Sequence, residues 1–268
     1  MKKILVLSIV GILTIQSCKE HQTNTNVASE GDRTEDVVKT AESVKPVSTK
    51  VQDTIYTKVE SSGSLKDIMN GKMGATIALK DLEGIPNLYA IGALENLTGE
   101  ILIYNSDPII SRRSDKMVTV DHTFKDSATL LVSAQVAEWQ DIPVPTSVKS
   151  QGQFEIFLQQ QALQRGVDTS KPYPFILTGG IAKLDWHVVN WNSNNADHTK
   201  KNHLQSSLKG VLTHAYVDIL GFYDAKNDGV FIHEGSKTHM HFKARDANLA
   251  AHADKIFLGK DLTLKLPK

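Results

Sequence analysis

The feature that most restricts this chain is the succession of short apolar runs, broken by Gly-, Asn- and Asp-rich turns, that fills its C-terminal half. Such runs read as strands over 173–177, 181–191, 210–220, 229–233, 238–242, 249–257 and 262–266. Upstream, strands over 89–94 and 100–104 are joined by the turn Glu95-Asn96-Leu97-Thr98-Gly99, and 129–139 is apolar enough for another. Helices are few and short. Ser64 caps Leu65-Lys66-Asp67-Ile68-Met69, which stops at Asn70-Gly71, and Ile77 to Leu82 repeats that pattern. Residues 153–165 place Phe154, Phe157, Leu158 and Leu163 at helical spacing and close at Gly166. Helices and strands segregate instead of alternating, so the class is α+β with mostly antiparallel or mixed sheets. Pro143 and Pro145 break the chain. They divide the folded part into an N-terminal α+β subdomain over 61–145 and a C-terminal β-rich subdomain over 146–268.

Within the strand series, Thr238-His239-Met240-His241-Phe242 is followed by Ala251-His252-Ala253. Residues i and i+2 of a strand point to one side, so His239 and His241 share a face. Ala244-Arg245-Asp246-Ala247-Asn248 reads as the turn. A turn centred between Asp246 and Ala247 sets His241 directly opposite His252 on that face. Three neutral imidazoles gathered in this way are the donor set of a catalytic zinc, which keeps one further position for substrate or water. The plainer reading of His-x-His in a strand is a solvent-facing pair. The third histidine in matched register is what argues for a metal, and imidazoles accept copper, nickel and iron as well.

The remaining histidines carry less. His122 stands in a loop, His198 and His203 flank Lys200-Lys201 in a polar stretch over 192–207, and all three read as solvated. His214 and His233 sit on expected strands near the site, as further ligands, neighbours of ligands or satisfied structural groups. His187, in Asp185-Trp186-His187-Val188-Val189, falls on the face of Asp185 and Val189.

The N-terminus reads as an export signal: Met1-Lys2-Lys3, an apolar run of about a dozen residues to Ile15, then Gln16-Ser17-Cys18. The run is too short to span a bilayer. Ile15-Gln16-Ser17-Cys18 resembles a bacterial lipobox, so residues 1–17 are expected to be removed and Cys18 lipidated. Cys18 is the single cysteine, which excludes an intramolecular disulfide. Residues 18–60, with Tyr56 as their one aromatic, cannot bury enough apolar surface to offset ordering entropy and read as a tether, with a first strand possible over 51–59. Without residues 1–17 the chain loses Lys2 and Lys3 and keeps 28 basic against 30 acidic residues, net −2. With no basic run, nucleic acid is not an expected partner. Asn96-Leu97-Thr98 matches a glycosylation acceptor, which a bacterial leader makes irrelevant.

Thr238-His239-Met240-His241-Phe242, with His252 eleven residues after His241, resembles the metal site of the α-acetolactate decarboxylases, which carry Tyr-His-Leu-His-Phe and a third histidine at that distance. Leu220-Gly221-Phe222-Tyr223 resembles the family's Val-Gly-Phe segment, and Thr178-Gly179-Gly180 its Ile-Asp-Gly turn. Gly99-Glu100 falls where the family has Asp-Gly-Glu, whose glutamate approaches the metal. The resemblance covers about residues 60 to 268 and is most specific at the histidines.

It implies a zinc-dependent decarboxylation of 2-acetolactate to acetoin and CO2, with His239, His241 and His252 on the metal and Glu100 either ligating it or managing the hydroxyl proton. His187 is the candidate for protonating the carbon, so Glu100 and His187 are the expected catalytic pair. Two departures accompany it. The family's arginine, some eight residues beyond the Asp-Gly turn, has no counterpart, and His187 is the nearest cationic group. The family's second glutamate, from a C-terminal extension, has none in the sixteen residues after His252. The competing expectations are a non-catalytic zinc- or copper-binding lipoprotein on the same scaffold, and an adhesion module with incidental histidines. Expected partners are a small-molecule substrate and, through the lipid on Cys18 alone, a membrane at the periplasmic or outer surface. A homodimer is the candidate oligomer.

Overall fold

The computed structural model describes residues 58–191, 199–226, 229–233 and 235–268. Cys18, the leader, most of the tether, all but the end of the expected strand over 51–59, and His198 lie outside the described residues. The described elements run β1 (Glu60–Ser62), α1 (Leu65–Met69), β2 (Ile77–Ala78), β3 (Leu88–Leu94), β4 (Glu100–Tyr104), β5 (Asp107–Ser114), β6 (Met117–Asp121), β7 (Ser127–Gln135), β8 (Trp139–Pro143), α2 (Gln151–Gln164), β9 (Tyr173–Val188), α3 (Lys200–Ser206), β10 (Leu208–Tyr223), β11 (Thr238–Ala244) and β12 (Ala250–Pro267). Every strand pairing is antiparallel, and the chain is α+β. Among the described residues no helix is long and apolar enough to cross a membrane.

The strands form two sheets. The first runs β1-β7-β3-β4-β5-β6, with β2 on β7; the second runs β11-β10-β9-β12-β8, with β11 also paired to β12. The chain changes sheet between β7 and β8, ahead of Pro143, because Trp139–Pro143 pairs with Thr263–Pro267. Three apolar clusters follow from the period-two burial of the strands. One, containing Ile101, Ile103 and Leu131, covers the outer face of the first sheet. Another joins the two sheets through Leu102, Leu130, Leu220 and Phe222. The last packs the second sheet against Phe154, Leu158 and Ala162, one stripe of α2 at i, i+4, i+8.

Local chemistry explains the helices. Ser64 accepts from the Asp67 N–H at the start of α1, and a full capping box links Ser150 and Gln153 at the start of α2. The expected helix over 77–82 is instead a two-residue strand and a 3-10 turn (Leu79–Leu82). The expected strand over 229–233 consists of bends. Strands β1 and β8, at the sheet edges, and β5 and β6 were not expected; β5 and β6 form an outer hairpin whose exposed half, with Arg112, Arg113 and Lys116, lacks the apolar signature of a strand. Helix α3 lies in the stretch read as a polar loop.

The expected breaks in 173–191 and 249–266 are bends inside single long strands. Gly179 has φ +135°, and a Cβ there would stand 2.3 Å from the Asp261 carbonyl oxygen. Glycine lets β9 and β12 bend together across that contact, where the ladder shifts register. Gly99 is needed for a similar reason, since a Cβ would meet the Ser111 carbonyl oxygen at 2.3 Å. Gly99→Ala is expected to destabilise the protein by about 1–3 kcal/mol, read as a lower unfolding midpoint, and to displace Glu100 beside it.

Candidate metal centre

Strand alternation divides β11 between two environments. Met240 and Phe242 enter the core over α2. His239 and His241 point the other way, toward the first sheet, and both are buried, at 8 % and 1 % exposure. His241 pairs with His252 across the β11–β12 ladder, and His252 with His187 across β12–β9. Directly opposed residues share a face, so His241, His252 and His187 form a row over three adjacent strands, with His239 one step along β11.

The geometry is compact. The His239 and His241 Nε2 atoms are 3.2 Å apart, and His252 Nδ1 lies 3.3 Å from His241 Nε2. The three ring centroids form a near-equilateral triangle of sides 5.1, 5.0 and 5.1 Å. Nitrogens about 2.0–2.1 Å from a tetrahedral ion stand about 3.3 Å from one another, so the spacing fits a shared ion. The protonation states agree. Burial, the His233 charge and the His187 charge push His239 down to about 3. Burial and the neighbouring imidazoles hold His241 and His252 well below the usual histidine range. Neutral rings keep nitrogen lone pairs that a shared cation can take up.

The Nδ1 atoms of His239 and His241 are buried and complete no hydrogen bond of ordinary geometry. The backbone of Phe231 and of Ile101 is the polar influence opposing the drop in each. A proton on Nδ1, toward those groups, leaves the Nε2 lone pairs free for the common point. The three residues offer ligand atoms all within 4.8 Å of one another, enough to hold a metal ion.

Glu100 enters from the other sheet, at the first position of β4, and is 4 % exposed. Its Oε1 accepts from the Val189 N–H at 2.9 Å. Oε2 lies 3.7 Å from His241 Nε2, and Oε1 lies 3.7 Å from His187 Nε2. Burial raises the Glu100 carboxyl from 4.5 to about 7, partly opposed by His187 and the Val189 hydrogen bond. Burial alone would lower His187, but the Asp254 hydrogen bond and the Glu100 charge outweigh it and raise its pKa. Nδ1 of His187 meets Asp254 Oδ1 at 2.8 Å. Glu100, which titrates near neutrality, and His187, raised above the ordinary histidine value, thus flank three rings that stay neutral, the separation that acid–base sites require.

His187, His239, His252, Glu100 and Asp254 line one cavity of about 170 Å³, whose other walls are apolar at Ile68, Leu97, Leu130 and Val189. Among the other histidines, His233 and His203 also line it, with His203 on α3 edge-on to Trp191. His122 is exposed beside Asp107, and His214 is exposed on β10. Asp254 was not anticipated. Its place two residues after His252 was the available signal, and its reach to His187 depends on a register shift that no sequence pattern marks.

No protein-family model matches the chain, and no curated protein matches it by sequence. Its similarities are to solved structures. An α-acetolactate decarboxylase from Bacillus subtilis strain 168 superposes with a TM-score of 0.64 at 15 % identity, over 79 % of this chain and 86 % of that one. An acetolactate decarboxylase from Bacillus subtilis subspecies spizizenii gives 0.62 at 16 %, over 79 % and 86 %. A Staphylococcus aureus protein of unknown function, described as similar to α-acetolactate decarboxylase, gives 0.60 at 12 %, over 79 % and 85 %. Around its histidine cluster, then, this chain has the fold of an α-acetolactate decarboxylase, at 15 % and 16 % identity to the two enzymes named.

Proposed function

We propose that the protein is a zinc-dependent decarboxylase of 2-hydroxy-3-keto acids, with 2-acetolactate converted to acetoin and CO2. The observation that carries this is the convergence of three neutral imidazoles, two buried and one half-buried, 3.2 and 3.3 Å apart beside a protonatable Glu100–His187 pair. In the reaction the bond from the hydroxyl-bearing carbon to the carboxylate breaks. Its electron pair moves onto the neighbouring ketone, leaving an enediolate, and CO2 departs. A zinc ion held by His239, His241 and His252 supplies Lewis acidity that lowers the cost of negative charge on the substrate oxygens.

The chain's own groups do the rest. Glu100, with its pKa near neutrality, exchanges the proton of the substrate hydroxyl. His187, facing Glu100 and the cavity, donates a proton to the carbon that lost CO2, which completes acetoin. Ile68, Leu97 and Leu130 receive the substrate's alkyl groups and exclude water, which strengthens each electrostatic interaction within. By the same reading the protein works outside the cytoplasm, anchored through Cys18; the support for that is Ile15-Gln16-Ser17-Cys18.

One observation favours a second reading, a zinc- or copper-binding protein without the chemistry: among the described residues lining the cavity there is no arginine. The two readings separate in one assay. Purified protein loaded with one equivalent of zinc is expected to form acetoin from racemic 2-acetolactate, to lose that activity on chelation and to regain it with added zinc. Zinc bound at full occupancy with no acetoin formed would leave the second reading in place.

A further inference from the structure

The β12–β9 ladder slips at one residue beside the site. Ala253 pairs with Trp186 and Lys255 with Asp185, so Asp254 has no partner across the strands. A bulged residue is one whose side chain is re-aimed, and bulges collect next to active sites for that reason. Here the carboxylate reaches the ring opposite His252: the His187 Nδ1–H donates to Asp254 Oδ1 at 2.8 Å. The His187 side chain is 11 % exposed, with its ring 4.6 Å from that of His252, centroid to centroid. Held at Nδ1 on one side and packed against His252 on the other, the ring directs Nε2 toward Glu100, 3.7 Å away, and toward the cavity.

The geometry points to Asp254 as the residue that positions His187, so that the Nε2 proton reaches one face of the reacting carbon. This rests on the decarboxylase reading above. In the step concerned, the Nε2–H bond breaks and its electron pair stays on the ring. The new C–H bond takes the electron pair left when CO2 departed, and His187 regains a proton from solvent before the next turnover. Because the protonated carbon becomes a stereocentre, a fixed ring gives one hand of product and a loose ring gives both.

His187, His252 and Asp254 also offer ligand atoms within 4.8 Å of one another, as a second metal site would. The hydrogen bond argues against that use, since it engages both His187 Nδ1 and Asp254 Oδ1, while His252 Nδ1 already faces His241 at 3.3 Å.

The test compares zinc-loaded wild type with Asp254→Ala, Asp254→Asn and Asp254→Glu. Asp254→Ala is expected to lower kcat by roughly tenfold to a hundredfold, to leave KM and the single zinc equivalent unchanged, and to erode the enantiomeric excess of the acetoin. A far-downfield imidazole proton resonance, present in wild type, is expected to vanish with it. Asp254→Glu is expected to restore part of both. Should Asp254→Ala fail to fold, Asp254→Asn, of nearly the same shape, carries the same comparison.

Unchanged product handedness and an unmoved resonance would overturn the assignment. A second zinc equivalent that disappears in Asp254→Ala would overturn it too, by making Asp254 a ligand. A wild type that binds zinc and shows the resonance but forms no acetoin would instead end the decarboxylase reading and leave the His187–Asp254 pairing standing.

Discussion

His241→Ala is expected to abolish both metal binding and acetoin formation. His241 is the hub of the cluster, 1 % exposed and within 3.2 Å of His239, 3.3 Å of His252 and 3.7 Å of Glu100. Truncation leaves two nitrogens that cannot complete a three-nitrogen set, so zinc affinity is expected to fall at least about a hundredfold, beyond the loss typical of a residue that only supports a ligand. A ligand present at a hundred times its dissociation constant stabilises the folded state by about 2.7 kcal/mol. Wild type is therefore expected to melt at a higher temperature with zinc than without, and His241→Ala at one temperature in both conditions. His122→Ala and His214→Ala, at exposed positions away from the cavity, serve as controls that keep their zinc. Equal zinc content in wild type and His241→Ala, measured by elemental analysis, would remove the metal centre altogether.

Glu100→Gln is expected to keep the metal and lose the chemistry, with kcat lower by about 10²–10⁴. It also has a signature in stability. In the folded, metal-free protein the Glu100 carboxyl titrates near 7, against 4.5 when free of its surroundings. Between those values the folded state holds a proton that the unfolded chain has released. Stability of the metal-free protein therefore falls as pH rises from about 4.5 through about 7, by about 3 kcal/mol in all. Glutamine cannot ionise, so the stability advantage of Glu100→Gln over wild type is expected to be least near pH 4 and greatest near pH 8. Parallel pH dependences in the two metal-free proteins would show that Glu100 does not carry the buried charge.

The cluster was legible because it depends on local rules. A two-residue period fixes which side chains share a face, and a hairpin's turn fixes which residues oppose one another. Counting from Asp246 and Ala247 therefore brings His241 against His252, the pairing found in the ladder. Helix α1 was legible from Ser64 and Asn70-Gly71 in the same way, since a cap is a contact within one turn. The long strands were not. Thr178-Gly179-Gly180 and Gly259-Lys260-Asp261 carry the residues of turns, yet both segments run on as strand, bent against one another at Gly180 and Lys260. Glycine permits a reversal and a bend equally, and only the strand lying opposite selects between them. The hairpin of β5 and β6 and helix α3 carry no such signal, because the exposed, charged half of one and the polar composition of the other leave little apolar periodicity.

By itself the sequence determined the α+β class, the antiparallel hairpin and the convergence of three imidazoles, all consequences of backbone geometry over a few residues. What only the tertiary structure decided is what surrounds them: Glu100 brought from the first sheet, His187 drawn in by its pairing with His252, and Asp254 turned by a bulge. The physical reason is range. Alternation and turn closure act between neighbours along the chain, whereas the approach of the two sheets is set by how their buried faces pack, and that is a property of the whole core.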